Sequence, residues 1–208
     1  IGGYFELEKF RNNEYYKDLV ALNCARNALN YLFKTKNIQK IYLPAFLCSS
    51  VKLMCQNNSY SYEFYHIDKK FKPVFDKKLK DNEYIYIVNY YGLFSEKEIV
   101  CYKKKYKNII FDNVHAFYQK PIKNIDTIYS CRKFFGVPDG AYLSTDCILE
   151  LDKDKSSARF KHLLGRFEGL ASDYYLDFKQ NDEDFKHSPL RLMSDLTRNI
   201  LGAIDYEN

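Results

Sequence analysis

The stretch NIIFDNVHAFYQKPIKNIDTIYSCRKFFGVPDGAYLST, residues 108–145, decides how the chain is read. NIIFD (108–112), DTIYSC (126–131) and GAYLST (140–145) are short, largely apolar runs bounded by Gly, Pro, Asn and Asp, which is the pattern of strands. Strands that are nearly continuously apolar are those covered on both faces, as in a mostly parallel sheet. The turn FFGVPDG separates the last two. The polar exceptions stand at strand ends: Asp112 closes the first run, and Arg132 and Lys133 follow the second.

The same alternation extends toward the N-terminus. Residues 25–33 read as a helix with Ala28, Leu29, Leu32 and Phe33 on one face, KIYLP (40–44) as a strand, and SSVKLMCQN (49–57) as a helix opened by Ser. YEFYHI (62–67) and EYIYIVNYYG (83–92) are strands. Ser95 is placed to cap a helix running through EKEIVCYKKKYK, whose cationic last turn suits the helix dipole. Apolar runs alternating with helical patterns predict an α/β sheet protein. Beyond residue 152 the character changes to a polar loop, helices with acidic patches, and a closing amphipathic helix in LRLMSDLTRNILGAI. Its Leu192, Leu196, Ile200 and Ala203 are expected to form a docked or intersubunit face.

Composition narrows the classes. The chain has 208 residues, 46% hydrophobic and 17% aromatic, with 20 Tyr, 16 Phe and no Trp. This is enough apolar material for a core, at a length near the usual ~150 residues per domain plus an extension. The net charge of +5, from 32 basic and 27 acidic residues, is small and dispersed, so nucleic acid is not an expected partner. No apolar run approaches the roughly 20 residues of a membrane span, and IGGYFELEKF has no signal-like core, so a cytoplasmic protein is expected. The six Cys show no CxxC or other metal-ligand spacing; they read as buried free thiols, with no metal site.

Chemistry in an open α/β sheet gathers beyond the carboxyl ends of the strands. Three segments fall there: LNCARNAL at a helix start, Asp112 with Asn113 and His115, and the SCRKFFGVPDG turn. Asp112 reads either as a cap of the following turn or as a carboxylate facing a cation. Lys133, flanked by Phe134 and Phe135, reads as a solvated lysine or as an amine whose pKa is lowered by desolvation for imine chemistry. Helix-start N–H groups and Arg26 form a ready phosphate site. There is no Walker motif or GxGxxG. Lys103 to Lys107 read as a solvated helix end.

In this order, GGYFELE, LNCARNALNYLF, IYLPAFLCSSV, YIVNYYG, IIFDNVHAF, YSCRKFFGVPDGAYL and LRLMSDL resemble the DegT–DnrJ–StrS sugar aminotransferases, over nearly the whole chain. The resemblance implies an aspartate-aminotransferase-like (PLP fold type I) large domain, with a mostly parallel seven-stranded sheet and helices on both faces. Its cofactor would be pyridoxal 5'-phosphate. By position, Lys133 would be the Schiff-base lysine, and Asp112 would pair with the pyridinium nitrogen. His115 would lie near the cofactor's phenolic oxygen. Ala25, Arg26 and Asn27, with Ser130, would hold the phosphate. Tyr91 matches an aromatic near the substrate, and Asn89 replaces a His of that segment. Cys48 stands where relatives place the aromatic that stacks on the ring, with Phe46 the candidate to stack instead.

The implied activity is transfer of an amino group, from glutamate, to a nucleotide-linked keto sugar for surface glycan synthesis, in a homodimer with small-molecule substrates. Two alternatives stay open: a cofactor-dependent sugar dehydratase, whose relatives commonly carry His in place of the lysine, and an inactive relative that folds and dimerises. Residues 1–185 are expected to form the large domain. Residues 186–208 are expected to lead toward a truncated or absent C-terminal small domain, with Arg191 a candidate intersubunit contact.

Overall fold

A computed structural model describes residues 2–10 and 13–207. Ile1 and Asn208, the outer ends of the two expected domains, lie outside the described residues. In chain order the elements are β1 (Val20–Leu22), α1 (Ala25–Thr35), β2 (Lys40–Pro44), α2 (Ser49–Asn57), β3 (Ser61–Ile67), β4 (Pro73–Val74), β5 (Glu83–Val88), α3 (Glu96–Tyr106), β6 (Ile109–Asp112), β7 (Asp126–Ser130), β8 (Ala141–Ser144), α4 (Lys161–Glu168), α5 (Tyr175–Phe185) and α6 (Asp195–Gly202).

One sheet holds all eight strands in the order β1-β8-β7-β6-β5-β2-β3-β4. Neighbours among β3, β2, β5, β6 and β7 pair in parallel. β8 runs antiparallel to β7 and β1, and the two-residue β4 runs antiparallel to β3. The sheet is therefore mixed, with seven longer strands and one short edge strand. The reason for the reversal is local: the link from Cys131 to Gly140 is shorter than the dozen or so residues that a parallel crossover requires.

Side-chain alternation distributes the core. Ile41, Leu43, Tyr86, Val88 and Ile110 pack against α1 and α2 through Leu29, Leu32, Val51 and Met54. Their neighbours in sequence Tyr42, Ile85, Ile87, Ile109 and Phe111 pack on the opposite face with Ile99 and Tyr106 of α3. Burial on both faces is why these strands read as continuous apolar runs. Ser95 caps α3 through a complete capping box with Glu98, as the sequence indicated.

Several expectations are corrected. β1 and β4 are too short to show a period, and β1 owes its assignment to pairing with β8. The strand expected through Gly92 stops at Val88, because the chain turns at Asn89 into a short 3-10 turn with Tyr91 at φ 56°. The closing helix starts at Asp195, where the Ser194 hydroxyl accepts the Thr197 N–H at 3.2 Å. Leu192 lies before it and bridges to Leu22 and Lys153, and Ala203 is exposed, so the expected four-residue face does not form. The helix buries Thr197, Leu201 and Gly202 instead. The six cysteines are free, yet Cys48 and Cys101 are exposed. Among the described residues no helix is long and apolar enough to cross a membrane.

The turn carrying Lys133 is tied to α6. Asp139, fully buried, accepts the Ser194 N–H at 3.0 Å, the Ser194 hydroxyl at 2.9 Å and the Thr197 hydroxyl. Next to it Gly140, at φ +117°, donates its N–H to the Asn23 carbonyl at 2.7 Å and accepts the Cys131 N–H at 3.1 Å. A methyl group there would meet Cys131 Cβ at 3.1 Å and Thr197 Cγ2 at 3.2 Å, in a backbone region that side chains rarely adopt. Gly140→Ala is expected to destabilise the fold by roughly 2 kcal/mol or more, read as a lower urea midpoint with an unchanged slope.

Candidate active site

Because β2, β5, β6 and β7 are parallel, the loops after them share one edge of the sheet. Asn89–Tyr91 follow β5, Asp112 ends β6 with His115 just beyond, and Ser130 ends β7 just before the 3-10 turn Cys131–Lys133. Three of the residues singled out in the sequence converge here. Lys133 Nζ lies 3.3 Å from His115 Nε2. The Tyr91 ring stacks on the His115 ring, centroids 5.7 Å apart and planes 25° apart. The positive φ of Tyr91, uncommon for a residue other than glycine, sets that ring's direction.

Asp112 is the buried member, 3% exposed. Its Oδ2 accepts the Tyr86 hydroxyl at 2.6 Å, and its Oδ1 accepts the Val114 N–H at 2.9 Å. It therefore does cap the turn that follows it. Burial pushes its carboxyl up to about 6; the Tyr86 hydrogen bond, the Val114 N–H and the charge of Lys133 pull the other way without cancelling it. Burial pushes the His115 imidazole down, and Lys133 pushes it further. His115 Nδ1 is buried with no hydrogen-bond partner. At neutral pH this gives a carboxylate starved of a cation and a neutral imidazole beside an amine.

The surroundings differ from expectation in three places. Lys133 is exposed. The rings meant to desolvate it turn away: Phe134 and Phe135 pack on Phe117 at centroid distances of 5.7 and 4.8 Å. Asn89, expected near the substrate, is fully buried, its amide donating to Asn113 Oδ1 at 2.9 Å and Gln119 Oε1 at 2.6 Å while its oxygen accepts the Phe94 N–H at 2.9 Å. It braces the loops. Cys48 is exposed and contacts Ser50 Oγ at 3.1 Å, whereas Phe46 joins Phe71 and Tyr90 in an aromatic group beside Tyr91.

At the head of α1, Ala25, Arg26 and Asn27 occupy the first turn, which holds no acidic residue and whose N-cap, Cys24, makes no side-chain cap. Helix geometry leaves the first N–H groups there without intrahelical partners. Burial pushes the Cys24 thiol up, while Arg26, the Asn27 N–H and Arg132 draw it down. The Asn27 side chain is otherwise engaged, donating to Asn23 Oδ1 at 2.9 Å and the Pro189 carbonyl at 2.9 Å. The Ser130 hydroxyl caps nothing. Arg191 lies 3.7 Å from Asp154 within the same chain. Tyr86 escaped the sequence reading; the available signal was a phenol inside the aliphatic strand EYIYIV, on the same parity as Asp112 in the next strand.

No protein-family model matches the sequence, and no curated protein matches it. Solved structures do. A PLP-bound protein of Clostridium difficile 630 assigned as an aminotransferase is 15% identical, with a TM-score of 0.53 over 93% of this chain and 52% of its own. Bacillus subtilis NtdA, solved with bound cofactor PMP, is 14% identical, with a TM-score of 0.50 over 65% of this chain and 34% of its own. The chain thus shares the fold of these proteins and spans about half of their length or less.

The raised Asp112 carboxyl has a measurable consequence. An acid with a raised folded pKa favours the fold below its unfolded value of 3.8, and that contribution is lost as pH rises through about 6. Asp112→Asn is therefore expected to stabilise the ligand-free protein at pH 8 by on the order of 2–3 kcal/mol and to leave it nearly unchanged at pH 3.5. Urea titrations at the two pH values test this, and equal effects at both would refute it.

Proposed function

We propose that the chain is a pyridoxal-phosphate-dependent aminotransferase, and that it moves an amino group from glutamate to a nucleotide-linked keto sugar. The observation that carries this reading is the buried Asp112 carboxylate at the end of β6 beside the His115–Lys133 pair at the same sheet edge. The residues present fit the cofactor. A pyridinium nitrogen is the kind of cation that the desolvated Asp112 lacks, and the buried His115 Nδ1 has no hydrogen-bond partner. The head of α1, with Arg26 and no acidic neighbour in its first turn, suits a phosphate. The resemblance to the DegT–DnrJ–StrS enzymes supports the sugar substrate and the donor.

When bound, pyridoxal phosphate supplies an electron sink that lets nitrogen pass between two carbon skeletons. The protein does the rest. Lys133 would hold the cofactor through its amine and would move the proton at the substrate carbon. His115, neutral and 3.3 Å away, positions that amine. Asp112 would keep a proton on the ring nitrogen, and the Tyr86 hydroxyl fixes the carboxylate from behind. Ala25, Arg26, Asn27 and Ser130 would hold the phosphate. Phe46 and Tyr91, both well exposed, wall the entrance and would be covered by a second subunit in a homodimer.

Incubation with pyridoxal phosphate is expected to give a yellow protein that borohydride fixes covalently at Lys133, located by peptide mass. Lys133→Ala should lose the label completely while keeping its thermal unfolding profile. A folded wild-type protein that takes no label rejects the reading. Labelled protein that never releases 2-oxoglutarate from glutamate with any keto sugar would instead favour the inactive relative.

A further inference from the structure

A cleft of about 760 Å³ opens along the outer flank of α1, bounded by the C-terminal end of α2 and by the segment that follows α5. Its lining contains none of Asp112, His115 or Lys133. It includes Arg26, Lys34, Lys186 and His187 and not one carboxylate, in a chain with 27 acidic residues. Lys186 pairs with Glu183 at 2.5 Å, outside the lining. Neither Arg26 nor Lys34 has a carboxylate within ion-pair distance among the described residues.

A second observation points to a ligand. Asn30, one turn into α1 from Arg26 and one turn before Lys34, lines the cleft yet is only 6% exposed. Its Oδ1 accepts the Tyr60 hydroxyl at 2.8 Å, which fixes the amide's orientation. Its Nδ2 then has no partner among the described residues. A donor of fixed orientation between two cations that lack carboxylate partners, on successive turns of one helix, is a preorganised anion site.

We propose that this cleft binds a polyphosphate anion, with Arg26 and Lys34 supplying charge and Asn30 Nδ2 a directed hydrogen bond, as a site separate from the one at Lys133. It goes beyond the aminotransferase reading and does not depend on it. Two residues, Arg26 and Asn27, are common to the two: both stand in the first turn of α1 and both line the cleft.

Calorimetric titration of the full chain with inorganic pyrophosphate tests the site. Saturable binding is expected in the wild type, in Lys133→Ala and in protein whose Lys133 has been fixed to pyridoxal phosphate. Lys34→Glu, at an exposed position, should raise Kd at least tenfold with an unchanged unfolding profile. Lys97→Glu, an exposed lysine on α3, should change Kd less than twofold. Absence of binding, equal losses in the two lysine variants, or competition by the fixed cofactor would each overturn the proposal. Because the first and second arms need no cofactor, failure of the aminotransferase reading would leave this result standing.

Discussion

The pairing of β6 between β5 and β7 is the constraint on which the site depends. Val88 is registered on Asp112, and Asp112 on Ile128. The ladder continues one step past the strand end, with the Asn89 N–H on the Asp112 carbonyl at 2.9 Å and the Asn113 N–H on the Ile128 carbonyl at 2.8 Å. Parity then fixes direction. Ile110 packs with α1 and α2, so Asp112, two residues on, points to that same side, where Tyr86 waits in the neighbouring strand. A slip of one residue would turn the carboxylate to the α3 face and exchange it with Phe111.

Placing a carboxylate there works against the stability of the empty fold, and the surrounding residues limit the cost without removing it. The Tyr86 hydroxyl and the Val114 N–H satisfy one lone pair on each oxygen. Neither brings a full charge, and Lys133 acts only from the exposed rim. Burial therefore still dominates, which is the condition under which a cationic ligand gains most from the site.

Rigidity around the site comes from amides and hydroxyls more than from apolar packing. Asn89 joins the β5 end to Asn113 and Gln119, and the Gln119 carbonyl accepts the Tyr129 hydroxyl at 2.8 Å. On the other side Asp139 ties the lysine turn to the N-terminus of α6. Buried polar groups of this kind need every partner in place, so each loop is held by contacts from distant parts of the chain. Lys133, His115 and Tyr91 are left as the accessible groups between two fixed walls.

By itself the sequence determined the α/β alternation, the extents of β2 and α2, the Ser95 cap and the strand-end positions of Asp112 and Lys133. These follow from local periodicity, capping chemistry and the rule that polar residues closing apolar strands lie at a sheet edge. Only the tertiary structure decided that Asn89 is a brace, that Phe134 and Phe135 abandon Lys133 for Phe117, that Tyr86 holds Asp112, and that the last helix begins at Asp195. The physical reason is the same in each case. The partner that settles the side chain's role lies far along the chain, on a neighbouring strand or an opposite loop, and no local pattern encodes which distant group will satisfy a buried donor or fill a given face. The α1 cleft is likewise tertiary: Arg26, Asn30 and Lys34 are spaced by helical turns that can be read in one dimension, yet the absence of any facing carboxylate is a property of how α2 and the residues after α5 close around them.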